Sequence, residues 1–119
     1  MAADDPWPTE LKVDKDRALL TVTFGDGASF VLPAELLRVM SPSAEVQGHS
    51  PEQRVTVPGK NAVRILRLEP VGNYAARLVF DDGHDTGLFT WTYLRELGEN
   101  KEARWQAYLG ELAANRLTR

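Results

Sequence analysis

Five consecutive residues, Asp81-Asp82-Gly83-His84-Asp85, hold three carboxylates and an imidazole. Oxygen and imidazole donors of this kind suit several divalent ions. The spacing does not match a calcium loop, which needs acids at alternate positions before its glycine and a distant glutamate. Aspartate beside glycine is also what a hairpin turn selects for its backbone tolerance. The acids are therefore expected to serve a turn, and His84 is the residue left to explain. The other histidine is His49, followed by Ser50. Folding could bring His49 and His84 together, with Asp82 or Asp85, as a site for a small molecule or a divalent metal. A cofactor-free hydrolase would need His49 or His84 beside a serine in a deep pocket, and no Gly-x-Ser-x-Gly elbow is present. Gly25-x-Gly27 has no following glycine at dinucleotide spacing, and no Walker pattern occurs. Arg38, Arg54, Arg64, Arg67, Arg77 and Arg95 are scattered. A sheet face bearing Arg64 and Arg77 could offer anion-binding forks, although arginine on a solvated face is the simpler expectation. No cofactor is expected.

The elements that must place these residues come as a near-repeat. Leu20-Thr21-Val22-Thr23-Phe24-Gly25-Asp26-Gly27 and Ala76-Arg77-Leu78-Val79-Phe80-Asp81-Asp82-Gly83 each alternate and then reach an aspartate–glycine turn. Each leads through a returning strand to a helix carrying Leu-Arg, at Leu37-Arg38 and Leu94-Arg95. After the turn the first copy has Ala28 where the second has His84. Asp82-Gly83 predicts a type I′ turn, which takes positive φ at both central residues. Leu11-Lys12-Val13 and Ala62 to Leu68 read as further strands, and Tyr74, Ala76, Leu78 and Phe80 alternate down one face. Pro33 suits the first turn of a helix over Ala34–Met40. Ser41-Pro42 could open one more helical turn closed by Gly48, with a loop beyond it. Thr90 is expected to cap a helix from Trp91 to Leu97, stopped by Gly98, and Asn100 to cap the last helix. There Trp105, Tyr108, Leu109 and Leu112 fall at helical spacing and predict a buried stripe. Trp91 is expected to pack into the core. The fold class is α+β: a mainly antiparallel β-sheet domain with two hairpin-plus-helix units and a C-terminal helix. Residues 1–8 read as a flexible lead-in and 9–119 as a single domain.

Composition narrows the function classes. A net charge of −3 over 119 residues gives no bulk attraction to phosphate backbones, so no nucleic-acid partner is expected. The absence of cysteine removes disulfides, thiolate nucleophiles and cysteine-based metal sites from this chain. The start, Met1-Ala2-Ala3-Asp4-Asp5-Pro6-Trp7, lacks the basic and apolar blocks of a signal peptide. No apolar run approaches the ~20 residues of a membrane helix. A cytoplasmic location without membrane contact is expected.

The run Leu36-Leu37-Arg38-Val39-Met40-Ser41-Pro42-Ser43-Ala44-Glu45-Val46-Gln47-Gly48-His49, with Asp82-Gly83-His84 and Trp91-Thr92-Tyr93-Leu94, resembles the gamma-butyrobetaine hydroxylase N-terminal-like domain. The resemblance spans roughly Pro8 to Leu109. It implies kinship with small stand-alone bacterial proteins of unknown function. It also implies kinship with a domain N-terminal to iron- and 2-oxoglutarate-dependent dioxygenases, and with one fused to P-loop carriers that handle iron–sulfur clusters. In those dioxygenases the domain holds zinc through a Cys-Pro-Cys-x-x-Cys run and a later histidine. By resemblance the three cysteines fall on Ser41, Ser43 and Val46, and the histidine on His84. With every thiolate gone, this copy is expected to fold without metal. The dioxygenase catalytic domain is absent from this chain, so the resemblance implies a non-enzymatic accessory or protein-interaction module. Its expected partner is a metal-dependent or iron–sulfur-handling protein. The expected contact surface comprises Arg38, His49, Arg54, Asp82, His84 and Trp91.

Overall fold

The computed structural model describes residues 7–47 and 55–119. Within them, two antiparallel three-stranded sheets are each followed by a helix. β1 (Pro8–Val13), β2 (Leu19–Phe24) and β3 (Ser29–Pro33) pair in chain order and lead into α1 (Ala34–Val39) and a short α2 (Ala44–Gln47). β4 (Ile65–Val71), β5 (Ala75–Phe80) and β6 (Leu88–Thr90) pair likewise, and lead into α3 (Trp91–Glu99) and α4 (Lys101–Ala114). This is α+β with the expected two hairpin-plus-helix units and C-terminal helix. Among the described residues neither sheet shares a strand pairing with the other, so the halves meet through side chains and a few backbone bonds.

Strand alternation decides what lies between them. Leu20, Val22 and Phe24 of β2 and Ala76, Leu78 and Phe80 of β5 point inward and are buried. Leu36 and Leu37 from α1, Leu94 and Leu97 from α3, and Tyr108 and Leu112 from α4 close the core. Removing that apolar area from water, at about 25 cal/mol per Å², is what holds the two sheets together. Of the stripe expected on α4, Tyr108 and Leu112 are buried while Trp105 and Leu109 are partly buried at its margin.

The repeat extends further than the sequence alone suggests. β1 and β4 each carry an irregularity at the same place, between Pro8 and Glu10 and between Ile65 and Arg67. Each helix start is tied to its own sheet: the Ala34 N–H donates to the Ala18 carbonyl at 2.7 Å, and the Trp91 N–H to the Tyr74 carbonyl at 3.0 Å. The two aspartate turns have one geometry. The Gly27 and Gly83 N–H groups donate to the Phe24 and Phe80 carbonyls, and the Phe24 and Phe80 N–H groups to the Ala28 and His84 carbonyls.

That geometry corrects the turn expectation. Gly83 takes φ 89°, whereas Asp82 is not among the positive-φ residues. The pattern is a type I turn closed by a left-handed glycine, the G1 bulge arrangement, in place of type I′. Asp82 thereby turns its side chain back to accept the His84 N–H. Other boundaries move with the tertiary packing. β4 begins at Ile65 because its register is set against β5, from Ile65 opposite Phe80 to Val71 opposite Ala75. Tyr74 falls outside that pairing and is exposed. α3 runs through Gly98, since this glycine admits the Phe30 ring, which a Cβ would strike. Asn100 makes no side-chain cap to α4; its amide donates back to the Glu96 carbonyl at 3.0 Å.

Candidate functional site

The residues singled out by their chemistry meet at one corner between the halves. After α1 the chain turns through Ser41-Pro42-Ser43 into α2, and the β5–β6 turn comes down on it. Ser41 Oγ lies 2.8 Å from His84 Nε2, and Ser43 Oγ lies 3.4 Å from the same nitrogen. Hydroxyl and imidazole can each donate or accept, so the proton's place follows the tautomer. Ser41 is fully buried, and Ser43 and His84 are 7% and 5% exposed. Local bonds fix the serines: the Ser43 N–H donates to Ser41 Oγ at 3.4 Å, and Gln47 Nε2 to the Ser41 carbonyl at 2.9 Å. Val46 is buried on α2, its N–H bonded to the Ser43 carbonyl at 3.1 Å. Gly87 closes the corner, because a Cβ there would strike Ser41 Oγ and crowd the Phe89 ring. The Tyr93 hydroxyl donates to the Met40 carbonyl at 2.5 Å, pinning the end of α1 to α3.

Asp82 forms the rim. Its Oδ1 accepts the His84 N–H at 3.1 Å, and its Oδ2 meets Arg38 Nε at 2.7 Å and Lys60 Nζ at 2.8 Å. Burial pushes its carboxyl upward, but the Lys60 ammonium, the His84 N–H and the Arg38 guanidinium outweigh this and bring it down to about 2. Asp82 is therefore ionised at any ordinary pH. It couples the turn that positions His84 to the helix that positions Ser41.

The remaining candidates lie apart. Trp91 is partly buried against the core, and its Nε1–H donates to the Asn73 carbonyl at 2.8 Å. Asp81 accepts the Arg64 N–H at 3.0 Å, and Arg64 Nη1 donates to the Asp16 carbonyl at 2.5 Å. Arg77 and Arg67 both pair with Glu69, so that face carries an internal ion cluster. His49, Ser50 and Arg54 lie outside the described residues. Among the described residues no group of three or more His, Cys, Asp or Glu could hold a metal ion. Zinc fits the corner poorly: two hydroxyls and an isopropyl group stand where zinc would need thiolate or further imidazole donors. Sequence reasoning missed Lys60, Gly87 and the Tyr93 hydroxyl. For Lys60 no local signal exists, because only the chain's return beneath the Asp82 turn brings it near.

A family model described as gamma-butyrobetaine hydroxylase-like, N-terminal, matches residues 11–95. No curated protein matches the chain. One solution NMR structure of a similar protein has 49% identity and a TM-score of 0.82, covering 96% of this chain and 90% of that one. A second NMR structure has 46% identity and a TM-score of 0.84, covering 100% of this chain and 89% of that one. A crystal structure of a protein of unknown function of the DUF971 family, from Acidithiobacillus ferrooxidans, has 38% identity and a TM-score of 0.66. It covers 80% of this chain and 98% of that one.

Proposed function

Because the chain belongs to the gamma-butyrobetaine hydroxylase-like N-terminal family, we propose that it is a non-enzymatic accessory or protein-interaction module. Its partner, by resemblance to fused relatives, is a metal-dependent or iron–sulfur-handling protein. The observation that carries this proposal is the sealed corner. Its serine–imidazole pair sits at a distance that would suit nucleophile activation, yet Ser41 has no exposed surface and His84 only 5%. With no exposed surface, Ser41 Oγ offers a substrate no access, and Gly87 packs directly against it.

The corner serves instead as a joint, and we read it as a lost zinc site. The resemblance to the dioxygenase domains implies that they close this corner with thiolates and a histidine. Here Ser41, Ser43 and His84 close it by hydrogen bonds, with Val46 filling the last place by burial. A divalent-metal or small-molecule role through His84 would first require Nε2 to leave both serines. What remains for function is the outer surface around Arg38 and the Asp82 turn, held in place by that joint.

Affinity capture from the native cell, with iron and zinc measured in the eluate, tests the proposal. The expected result is one reproducible metal-containing protein, lost with Arg38→Ala or His84→Ala. An eluate without a reproducible partner, or capture indifferent to both variants, would overturn it.

A further inference from the structure

Arg38 and Arg95 each stand fifth in their helices, α1 and α3, yet only Arg95 has every guanidinium nitrogen engaged by a carboxylate. Arg95 donates through Nη1 and Nη2 to both carboxylate oxygens of Asp26, at 3.1 and 2.9 Å, and through Nε to Glu99 at 3.0 Å. Arg38 reaches Asp82 through Nε alone, at 2.7 Å. Its Nη1 is buried and meets no acceptor among the described residues.

Two local differences produce this shortfall. Beside Arg95 stands Glu99, whereas the corresponding residue beside Arg38 is Pro42, so one carboxylate is missing. Lys60 also takes Asp82 Oδ2 at 2.8 Å, while Oδ1 accepts the His84 N–H. Both oxygens of Asp82 are thus engaged before a second guanidinium nitrogen can use them. In one half two carboxylates surround one cation. In the other, two cations share one carboxylate. Guanidinium presents a planar fork matched to carboxylate, and a buried donor without an acceptor is unfavourable.

We propose that Arg38 and Lys60 form a carboxylate-binding site, filled by an aspartate or glutamate side chain of a partner protein. Only the owner of that carboxylate rests on the interaction-module reading; the site itself rests on the comparison with Arg95. Lys60, 23% exposed and carried on a flexible four-carbon stem, is the member that moves. Swinging off Asp82 Oδ2, it opens the way to Arg38 Nη1. The incoming carboxylate then bridges the two cations, and Asp82 keeps Arg38 Nε and the His84 N–H.

The test is an NMR titration of the intact chain that follows the Arg38 Nε–H signal and the Asp82–His84 amides. The probes are a short glutamate-rich peptide, its glutamine counterpart and inorganic phosphate. The expected result is saturable shifts with the glutamate peptide and none with the glutamine peptide. Affinity should fall about tenfold or more in Arg38→Lys or Lys60→Ala, since each removes one partner of the bridging carboxylate, and stay unchanged in Arg95→Lys. Should Arg38→Lys fail to fold, Lys60→Ala at the rim carries the comparison. The inference is overturned by an absence of saturable shifts, by an equal response to the glutamine peptide, by response to phosphate alone, or by unchanged affinity in Lys60→Ala. A positive titration with no partner captured would overturn the module reading and leave the site standing. A captured partner with a negative titration would do the reverse.

Discussion

Arg38 and Asp82 lie 44 residues apart in sequence and 2.7 Å apart in space, one on the helix of the first half and the other on the turn of the second. Arg95 and Asp26 make the reverse crossing, from second helix to first turn. With no strand pairing between the sheets among the described residues, these two latches and the packing beneath them keep the halves in register. The two latches differ in burial: side-chain exposure is 16% for Asp82 but 56% for Asp26. Electrostatic pairing weakens as solvent screens it, so the Asp82 latch carries more stability.

Asp82→Asn keeps an oxygen for the His84 N–H but leaves Arg38 and Lys60 without their shared carboxylate. Chemical denaturation should show a loss of about 1–3 kcal/mol, the usual cost of stranding a partly buried charged donor. Asp26→Asn should cost less. Equal losses in the two variants would contradict the asymmetry.

Acid should unlock the same latch. The folded-state carboxyl of Asp82 stands at about 2 against an ordinary value of 3.8. A lowered value means that its stabilisation is complete above pH ~4 and is lost as pH falls from there toward 2, a contribution of roughly 2 kcal/mol. Urea midpoints between pH 5 and 2 should fall for the wild type and fall less steeply for Asp82→Asn. Asp26 and Glu69 are lowered as well, so the slope should flatten without vanishing.

Beneath the latches the second half supplies a glycine at each of two corners. The Phe30 ring rests on Gly98 in one corner, and Ser41 rests against Gly87 in the other. Gly98→Ala should cost about 1–3 kcal/mol through overpacking. Phe30→Leu in the same molecule should recover part of it, giving a non-zero coupling in a double-mutant cycle. Strict additivity would mean that the ring does not rest where it is placed.

How far the residues announce this architecture depends on whether the cause is local. The strands and the cap at Thr90 follow from alternation and side-chain chemistry within a few positions. Thr90 does accept the Tyr93 N–H, at 3.1 Å. The turn type did not follow, because Asp-Gly suits two hairpin geometries, and the one adopted lets Asp82 cap His84. Gly98 reads as a helix stop by local rules; the Phe30 ring that makes it necessary lies in the other half. At the corner, His84 stood out as the one imidazole in the repeat, and the family resemblance pointed to Ser41, Ser43 and Val46. Lys60 and the crossed pairing of the arginines depend on how the halves face each other, which no local pattern encodes.

Ser41→Ala removes the hydroxyl that lies 2.8 Å from His84 Nε2 and keeps the Ser43 hydroxyl at 3.4 Å. The expected cost is about 1 kcal/mol for the loss of a buried hydrogen bond at the imidazole. In NMR spectra the change should appear at His84 and on α2, with the remote Gly98 corner undisturbed. A shift spread evenly over both corners would place the joint elsewhere.

The most direct measurement is the zinc content of the protein purified without a tag, taken together with its melting temperature before and after chelation. A joint closed by Ser41, Ser43 and His84 predicts zinc well below one equivalent and a melting temperature that the chelator does not change. Equimolar zinc that survives purification, with a melting temperature that drops on its removal, would contradict it.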